Sequence, residues 1–338
     1  MPSNIIHSTR INFEEYFKDA VLSSCPSEII GLRDAVSYHF GWDGSITVPG
    51  KRLRPLFLIL VYASLGGNPE DAFQAASALE VLHNFTLIHD DIIDKGETRH
   101  GHPALWKQTG IPLAINVGDY LASLSQSLMG SQPAIFPLEI QKRALNEFHD
   151  ATLGVIQGQQ LDIQYENKDR ISIEEYLGMI RLKTARLFSA AFGIGSYLAG
   201  SDRGYAEGLK QAGCDIGLGF QIQDDYLGVW GSSEETGKST STDLFNRKKT
   251  FPAMTGLKNS EIFRELWAQD NQSDPDLLEK MKGYLNRAAI REDTLNQARA
   301  YYIDAQTGLN QLLPVENDYA RALLALVTST FAPALTGS

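Results

Sequence analysis

Apolar residues recur every three to four positions along most of the chain, which is the periodicity of one face of an α-helix. Four long examples lie at residues 71–94, 172–200, 274–290 and 318–335. Segments of alternating polar and apolar residues between turn dipeptides, which are typical of β-strands, are scarce. The pattern therefore predicts an all-α chain with about ten or more helices and no substantial sheet.

Nothing along the sequence marks a domain boundary. The 338 residues would allow two domains by length, but there is no low-complexity linker, no repeat of fixed period and no break in composition. Most prolines lie near the edges of the periodic segments. We therefore predict one helical domain over residues 1–338.

Composition narrows the function classes. Hydrophobic residues make up 43% of the chain, which suits a large core, and the net charge of −11 argues against a nucleic-acid backbone as the main partner. Cys25 and Cys214 do not form a C-x-x-C motif, which favours a reducing compartment. The N-terminus lacks a secretory pattern, and the longest apolar run, at residues 55–65, is shorter than the roughly 20 residues that span a bilayer. A cytoplasmic protein is the expectation.

Three carboxylates stand at the end of the first long periodic segment, in the sequence IHDDIID. Asp90 and Asp94 are four residues apart and Asp91 and Asp94 are three apart, which brings the side chains onto one face of a helix. Like charges at these spacings repel by a few tenths of a kcal/mol even at an exposed surface. A second pair, Asp224 and Asp225, is predicted to end another apolar helix.

A divalent cation would offset this repulsion. Magnesium takes oxygen ligands, retains water and is commonly shared between one or two carboxylates and substrate phosphates. The stretch between the two acidic sites is long enough for several helices, so both sites could face one cavity. A solvated helix end is the competing interpretation of either site, and the spacing alone leaves both interpretations open.

Cationic side chains cluster near these acids, as expected if metals carry a phosphorylated ligand, because Arg forks a phosphate and Lys acts as a point charge. Neither position needs to bind a ligand: a lysine within an apolar helix can extend its amine to solvent, and a basic loop can simply be solvated. The candidate cations are Lys51, Arg52, Arg54, Arg99, Lys183, Lys238, Arg247, Lys248 and Lys249.

The order of these motifs closely resembles that of the trans-isoprenyl diphosphate synthases, the polyprenyl synthetase family. The resemblance covers roughly residues 45–255. The matching motifs are G-K-R-x-R-P at 50–55, D-D-x-x-D at 90–94, G-Q-x-x-D at 158–162, K-T at 183–184, F-Q-x-x-D-D at 220–225, and G-K ahead of K-K-T.

The resemblance implies a fold and a reaction. The fold is a single domain of antiparallel helices around a deep central cavity, of the isoprenoid synthase type I-like class, usually in a homodimer. The reaction joins isopentenyl diphosphate head-to-tail to an allylic diphosphate, gives a short- or medium-chain all-trans prenyl diphosphate, and releases pyrophosphate. The implied cofactor is Mg²⁺, as three ions with the bound diphosphate.

The resemblance also implies residue roles. The magnesium ligands would be Asp90, Asp94 and Asp224, with Asp91 and Asp225 assisting. The allylic diphosphate would be held by Arg99, Lys183, Gln221, Lys238 and Lys248. Isopentenyl diphosphate would be held by Lys51, Arg54 and His83. The Thr184 hydroxyl and the Gln221 amide oxygen would stabilise the allylic cation.

Two positions depart from the family pattern. Gly228 stands where the second acidic motif often has a third aspartate, and Arg99-His100 replaces a pair of arginines. A neutral imidazole offers one donor where arginine offers a charged fork. His100 therefore predicts weaker binding of isopentenyl diphosphate, which should tighten as the pH falls toward the ordinary imidazole pKa of about 6.5.

Product length is expected to depend on the residues about one turn before the first aspartate. Phe85 is the fifth residue before Asp90, and Thr86, which is small, is the fourth. In the family an aromatic residue at the fifth position resembles a floor that stops chain growth, and the first motif here has no insertion. The pattern favours geranylgeranyl diphosphate, with farnesyl diphosphate second; the alternative is that Phe85 is ordinary core.

Three other functions compete. A class I terpene cyclase ionises the same kind of substrate, but it has no use for the second diphosphate site that G-K-R-x-R-P indicates. A metal phosphohydrolase using His83 and the His89-Asp90 pair would need further ligands. A non-catalytic partner subunit would typically lose the aspartates, whereas this chain keeps all but one.

Overall fold

The computed structural model of the chain describes residues 2–44, 50–231, 244, 247–269, 274–314 and 316–336. Helices dominate these ranges, which confirms the all-α prediction. The helices are α1 (Pro2–Ser24), α2 (Ile30–Phe40), α3 (Leu53–Ser64), α4 (Phe73–Ile93), α5 (Leu105–Thr109), α6 (Ile111–Gly130), α7 (Leu138–Glu166), α8 (Ile173–Ile180), α9 (Arg186–Leu198), α10 (Arg203–Trp230), α11 (Phe251–Asn259), α12 (Glu261–Trp267), α13 (Pro275–Arg287), α14 (Ile290–Leu312), α15 (Asp318–Thr330) and α16 (Ala332–Thr336).

Three shorter elements join these helices. A 3₁₀ turn at Pro69–Ala72 leads into α4, and a π-helical turn at Arg181–Ala185 connects α8 to α9. The strands of the described ranges are β1 (Thr98–Arg99) and β2 (His102–Pro103), which pair antiparallel. None of the helices in those ranges is long and apolar enough to cross a membrane.

Two of the long periodic segments are interrupted, although each was predicted as one helix. The segment at 172–200 contains the π-helical turn, and the segment at 318–335 breaks between Thr330 and Ala332. A π turn adds one residue to a helical turn, and apolar residues on both sides of it still recur every three to four positions, so the periodicity does not reveal the insertion. In the second case Pro333 has no backbone N–H to continue a helical ladder.

The chain divides into two compact units. The first comprises Met1–Thr152, Ala190–Lys210 and Leu312–Ala325, and the second comprises Leu153–Ser189, Gln211–Gln311 and Leu326–Ser338. The single domain expected over residues 1–338 stays a prediction.

The core of the first unit forms around α4, which packs against α3 and α6. Leu79 and Val81 of α4 and Val117 of α6 are fully buried. At Gly118 of α6 the approach is so close that a Cβ would stand 2.2 Å from Nε2 of His89. This packing fixes the end of α4 that carries the first acidic motif.

The second unit has its own apolar core. Its largest fully buried side chains include Tyr176, Tyr226 and Phe263, which lie on α8, α10 and α12. Ile222 of α10 and Leu285 of α13 fill the same cluster. The buried face of α10 therefore anchors the helix that carries the second acidic motif.

Candidate active site

Helix α4 ends within the first group of aspartates, at Ile93, and Asp94 is its C-cap residue. The amide of Gly96 donates to the carbonyl of Asp91 at 2.9 Å, and that of Lys95 donates to the carbonyl of Ile92 at 3.4 Å. With Lys95 in the left-handed conformation at φ 53°, these bonds form a Schellman motif. The last carbonyls of a helix carry partial negative charge, so acidic side chains at this end are unfavourable unless a cation lies near.

Arg99 supplies one such cation. Its Nε donates to Asp91 Oδ2 at 2.6 Å and its Nη2 donates to Asp91 Oδ1 at 2.7 Å, which is a bidentate fork. Burial disfavours the guanidinium charge, but the bonds to Asp91 and the charges of Asp90 and Asp94 outweigh it and raise the pKa of Arg99. Asp91 is buried beneath this fork, whereas Asp90 and Asp94 are half-buried.

A tight hairpin carries Arg99. Arg99 of β1 pairs with His102 of β2, and the two residues between them, His100 and Gly101, have φ values of 52° and 78°. Two consecutive positive φ angles are those of a type I′ turn, which matches the twist of a two-residue hairpin. His100 is exposed at this turn, so a substitution of its side chain changes the local charge without disturbing a core.

Arg54 and His83 form a half-buried polar pair, with Nη1 of Arg54 lying 3.1 Å from Nε2 of His83. Loss of hydration lowers the pKa of Arg54 to about 10. Loss of hydration, together with the nearby charge of Arg54, lowers the pKa of His83 well below its ordinary value. His83 is therefore neutral at pH 7 and accepts the hydrogen bond. Lys51, predicted to act with this pair, is exposed.

In the second unit, side chains of the K-T and F-Q-x-x-D-D motifs form one hydrogen-bonded chain. Thr184 Oγ1 donates to Gln221 Oε1 at 2.7 Å, and Gln221 Nε2 donates to Asp225 Oδ1 at 3.0 Å. A carboxylate only accepts hydrogen bonds, so Asp225 fixes the orientation of the Gln221 amide. The amide oxygen then takes the hydroxyl proton of Thr184, and Thr184 presents lone pairs on its remaining side.

Asp225 is the buried centre of this chain. Its Oδ2 accepts hydrogen bonds from the Tyr176 hydroxyl at 2.5 Å and from the Phe251 amide at 2.8 Å. Burial and then the charge of Asp225 raise the pKa of Tyr176 well above its ordinary value, so the hydroxyl keeps its proton. The adjacent Asp224 is exposed. Helix α10 continues to Trp230, so the expectation that this acidic pair ends its helix was wrong.

Lys183 lies on the π-helical turn and has a partner within its own unit. Its Nζ donates to Asp162 Oδ2 at 2.5 Å, and both side chains are about one quarter exposed, at 24% and 25%. Turns of this kind are frequent at functional sites because they redirect side chains from the regular helical positions. An interpretation in which Lys183 simply extends into solvent does not describe this geometry.

Gly158 of α7 allows this turn to come close. A Cβ on Gly158 would stand 2.2 Å from the backbone nitrogen of Lys183 and 2.6 Å from its Cα. Real Cβ atoms do not approach a backbone so closely, and backbone atoms cannot rotate away as a side-chain tip can. Asp162 follows one helical turn later on the same face of α7, so Gly158 and Asp162 together hold Lys183.

We expect Gly158→Ala to destabilise the protein by about 1–3 kcal/mol or more, because the added methyl forces the π-helical turn away from α7. The matched control is Gly178→Ala, since a Cβ at Gly178 of α8 meets nothing within 4 Å. That change should be neutral or should stabilise the helix by about 0.4–1 kcal/mol. Guanidinium chloride denaturation measures both, and equal midpoints for the two variants would contradict the close-packing argument.

The remaining predicted residues fall as follows. Phe85 is buried on α4, and the Thr86 hydroxyl donates to the carbonyl of His83 at 2.6 Å. Lys248 is half-buried, and Lys238 lies outside the described residues. Asp162 and Tyr176 were not predicted as site residues. The G-Q-x-x-D motif could have indicated Asp162, whereas nothing in the sequence singled out Tyr176.

The acidic side chains supply the oxygen donors that magnesium prefers. Among the residues that the structure describes, no three His, Cys, Asp or Glu side chains converge to form a complete metal site. Magnesium does not require one, since it is usually held by one or two carboxylates with water and substrate phosphates completing the octahedron. Asp90 and Asp94, spaced one turn apart and half-buried at a helix end, have the donor chemistry for this arrangement.

Relatives of known activity match most of the chain. The chain is 33% identical over 340 residues to the geranylgeranyl diphosphate synthase of Sulfolobus acidocaldarius, covering 94% of this chain and 98% of that one. It is 37% identical to the geranylfarnesyl diphosphate synthase of Natronomonas pharaonis, covering 81% of this chain and 83% of that one.

Solved structures also match most of the chain. The crystal structure of a polyprenyl synthetase from Streptomyces coelicolor A3(2) superposes with a TM-score of 0.86 at 31% identity, covering 98% of this chain and 99% of that one. The model of the family described as polyprenyl synthetase matches residues 42–284. The chain therefore belongs to the polyprenyl synthetase family.

Proposed function

We propose that this protein is a trans-prenyltransferase that condenses isopentenyl diphosphate head-to-tail with an allylic diphosphate. The hydrogen-bonded chain Thr184–Gln221–Asp225 is the observation that carries the proposal. It leaves Thr184 with lone pairs to offer, and Thr184 directly follows the cationic Lys183 in the sequence. Ionisation of an allylic diphosphate requires two groups: a cation that stabilises the leaving diphosphate, and an uncharged oxygen that stabilises the carbocation.

We propose magnesium as the cofactor, with Asp90, Asp94 and Asp224 as its principal ligands. When bound, magnesium would neutralise the charge that develops on the departing diphosphate. Asp91 and Asp225 would assist the metal indirectly. Both carboxylate oxygens of Asp91 accept from Arg99, and both oxygens of Asp225 already accept hydrogen bonds.

The reaction then needs no protein nucleophile. The allylic carbon–oxygen bond breaks, and both electrons leave with pyrophosphate toward Lys183 and Arg99. The double bond of isopentenyl diphosphate attacks the allylic cation, and a new carbon–carbon bond forms. The resulting cation loses a proton to the released pyrophosphate. Water must be excluded throughout, since it would quench either cation to an alcohol.

Isopentenyl diphosphate would be held by Lys51, Arg54 and His83. The pairing of Arg54 with a neutral His83 supports this role, because it orients the guanidinium without adding a second fixed charge. His100 would contribute one further donor from the hairpin turn. The same turn leaves room for a longer side chain, since His100 is exposed.

We expect His100→Arg to lower the Michaelis constant for isopentenyl diphosphate and to leave that for the allylic substrate nearly unchanged. The reason is that a permanent guanidinium fork replaces one imidazole donor. A gain of one charge-assisted bond corresponds to about a tenfold change in the constant. Steady-state kinetics with each substrate varied in turn measures both constants. An unchanged or higher constant for isopentenyl diphosphate would show that His100 does not occupy this role.

Release of pyrophosphate tests the proposed reaction against its alternatives. A condensing enzyme should release pyrophosphate only when magnesium, isopentenyl diphosphate and an allylic diphosphate are all present. A terpene cyclase would release it from the allylic substrate alone, and a phosphohydrolase would release inorganic phosphate. No release under any of these conditions would favour a non-catalytic subunit.

We also propose a cytoplasmic homodimer. The absence of disulfide bonds at the buried cysteines Cys25 and Cys214 is compatible with a reducing compartment. Helix α6 exposes Ile111 and Ile115, which are 46% and 42% exposed and lie one turn apart on one face. Exposed apolar residues grouped on one helix face support a surface that a partner covers.

A further inference from the structure

A buried ionic network surrounds Arg52, the residue between Lys51 and Arg54. Nε and Nη2 of Arg52 donate to the two carboxylate oxygens of Glu14 at 2.9 Å and 3.0 Å. Nη1 donates to Glu80 Oε1 at 2.9 Å. Arg52 is only 7% exposed. Arg52, the central cation of the G-K-R-x-R-P motif, therefore binds other residues of the protein and not a ligand.

The surroundings hold this guanidinium in one place. It lies over the rings of Phe17 and Phe40, at 5.3 Å and 5.8 Å from their centroids. Trp42 Nε1 donates to Glu14 Oε1 at 3.2 Å and so fixes the carboxylate. Burial disfavours the charge of Arg52, but the charges and hydrogen bonds of Glu80 and Glu14 outweigh burial and raise the pKa of Arg52 above its ordinary value. Arg52 therefore stays charged, with each arm of its fork occupied.

The backbone at Arg52 depends on these contacts. Its φ of 51° and ψ of 36° lie in the left-handed region, which residues with a side chain adopt rarely. Such a conformation persists only when the surroundings determine it. It turns the chain from the exposed Lys51 into the first turn of α3, where Arg54 meets His83.

The same network reaches the helix turn that carries His83. Glu80 Oε1 also accepts from Asn84 Nδ2 at 3.2 Å, and Asn84 Oδ1 bonds to His39 Nε2 at 3.0 Å. Glu80, His83 and Asn84 are neighbours on one face of α4. The buried network therefore holds the turn before Arg54 and the helical turn that carries His83, which are the two residues expected to hold isopentenyl diphosphate.

We propose that Glu14, in the N-terminal helix α1, is a positioning residue for the isopentenyl diphosphate site. Glu14 holds Arg52, and Arg52 fixes the left-handed turn that places Lys51 and Arg54. The inference rests on the proposed function only for the identity of the ligand. The contacts of Glu14 give it no place in the binding of the allylic substrate.

The test is Glu14→Gln, which keeps the shape of the side chain and removes its charge. The Michaelis constant for isopentenyl diphosphate should rise about tenfold, because the displaced turn costs the ligand about one charge-assisted bond to Lys51 or Arg54. The constant for the allylic substrate and kcat should stay within about twofold of wild type. Glu15→Gln is the matched control, because Glu15 is the exposed neighbour on α1, and it should change none of the three.

Two further measurements keep the outcome decisive. Trp42→Phe removes one hydrogen bond from Glu14 and keeps the aromatic ring, so it should raise the same constant by a smaller factor even if Glu14→Gln folds poorly. Calorimetric titration with isopentenyl diphosphate should show the same weakening without turnover. If both Michaelis constants rise together, or if that for isopentenyl diphosphate stays unchanged in a folded variant, Glu14 has no positioning role. Wild-type protein that binds isopentenyl diphosphate but does not condense it would instead refute the proposed function.

Discussion

Asp90→Asn and Asp224→Asn are each expected to lower kcat by about two to three orders of magnitude, the usual cost of removing one group that stabilises charge in a transition state. Asparagine keeps the size of the side chain and one oxygen, but it loses the charge that magnesium requires. The measurement is steady-state turnover of the purified variants in metal-controlled buffer.

Stability should change little at Asp90. The carboxylate lies at the C-terminal end of α4, where the partial negative charge of the helix repels it. Its removal relieves that repulsion but also loses the attraction between Asp90 and Arg99, so stability should stay within about 1 kcal/mol of wild type. A large loss of activity without a loss of stability is the signature of a residue retained for chemistry.

The matched control for this pair is Glu97→Gln. Glu97 is an acid close to the first motif, and it forms an exposed ion pair with Lys107 at 2.5 Å. Exposed pairs contribute about 0–1 kcal/mol, so both turnover and stability should change little. Near-wild-type turnover in either aspartate variant would remove the magnesium assignment.

Phe85→Ala is expected to lengthen the product. Phe85 is 8% exposed on α4, five residues before Asp90, and its ring meets that of His89 edge-on with centroids 5.6 Å apart. If Phe85 is the floor of the chain-binding cavity, its removal opens space, and the enzyme continues past its normal product at a similar rate. Mass spectrometry of the products beside a melting curve makes the measurement.

The competing interpretation is that Phe85 is ordinary core. Truncation of a buried phenylalanine costs about 3–5 kcal/mol whatever its function, so stability alone cannot separate the two. Phe57→Ala is the control, because Phe57 is a fully buried ring that packs against Phe192. Both variants should lose stability, and only Phe85→Ala should give longer products. Loss of stability at Phe85 with unchanged products would refute the floor.

The sequence was sufficient wherever the determinants are local. The apolar stripe of α4 and the three aspartates at its end are both set by residues within a few turns, and the helix lies where the periodicity predicted it. The π-helical turn at Arg181–Ala185 escaped prediction, because the close approach of Gly158 comes from a different helix.

Adjacent aspartates of the second motif show where sequence reasoning stops. Asp224 and Asp225 are chemically identical, yet one is exposed and the other is buried. The difference depends on Tyr176 and Phe251, which stand 49 and 26 residues away in the chain. Such contacts arise from tertiary packing and leave no local pattern.

Arg52 illustrates the same limit in the first unit. The sequence grouped it with Lys51 and Arg54 as one set of cations, and no local feature separates the three. The structure separates them, because Glu14, 38 residues earlier, holds Arg52 inside the protein. A basic motif predicts that an anion site is near, but only the folded chain reveals which cations remain for the ligand.

The most direct test of the account is the mass of the products made from isopentenyl diphosphate with magnesium and, in turn, dimethylallyl, geranyl or farnesyl diphosphate. We predict that each accepted primer is extended by whole isoprene units and that geranylgeranyl diphosphate is the main product. Failure to incorporate isopentenyl diphosphate with any primer, or formation of a cyclised hydrocarbon from the allylic substrate alone, would contradict the account.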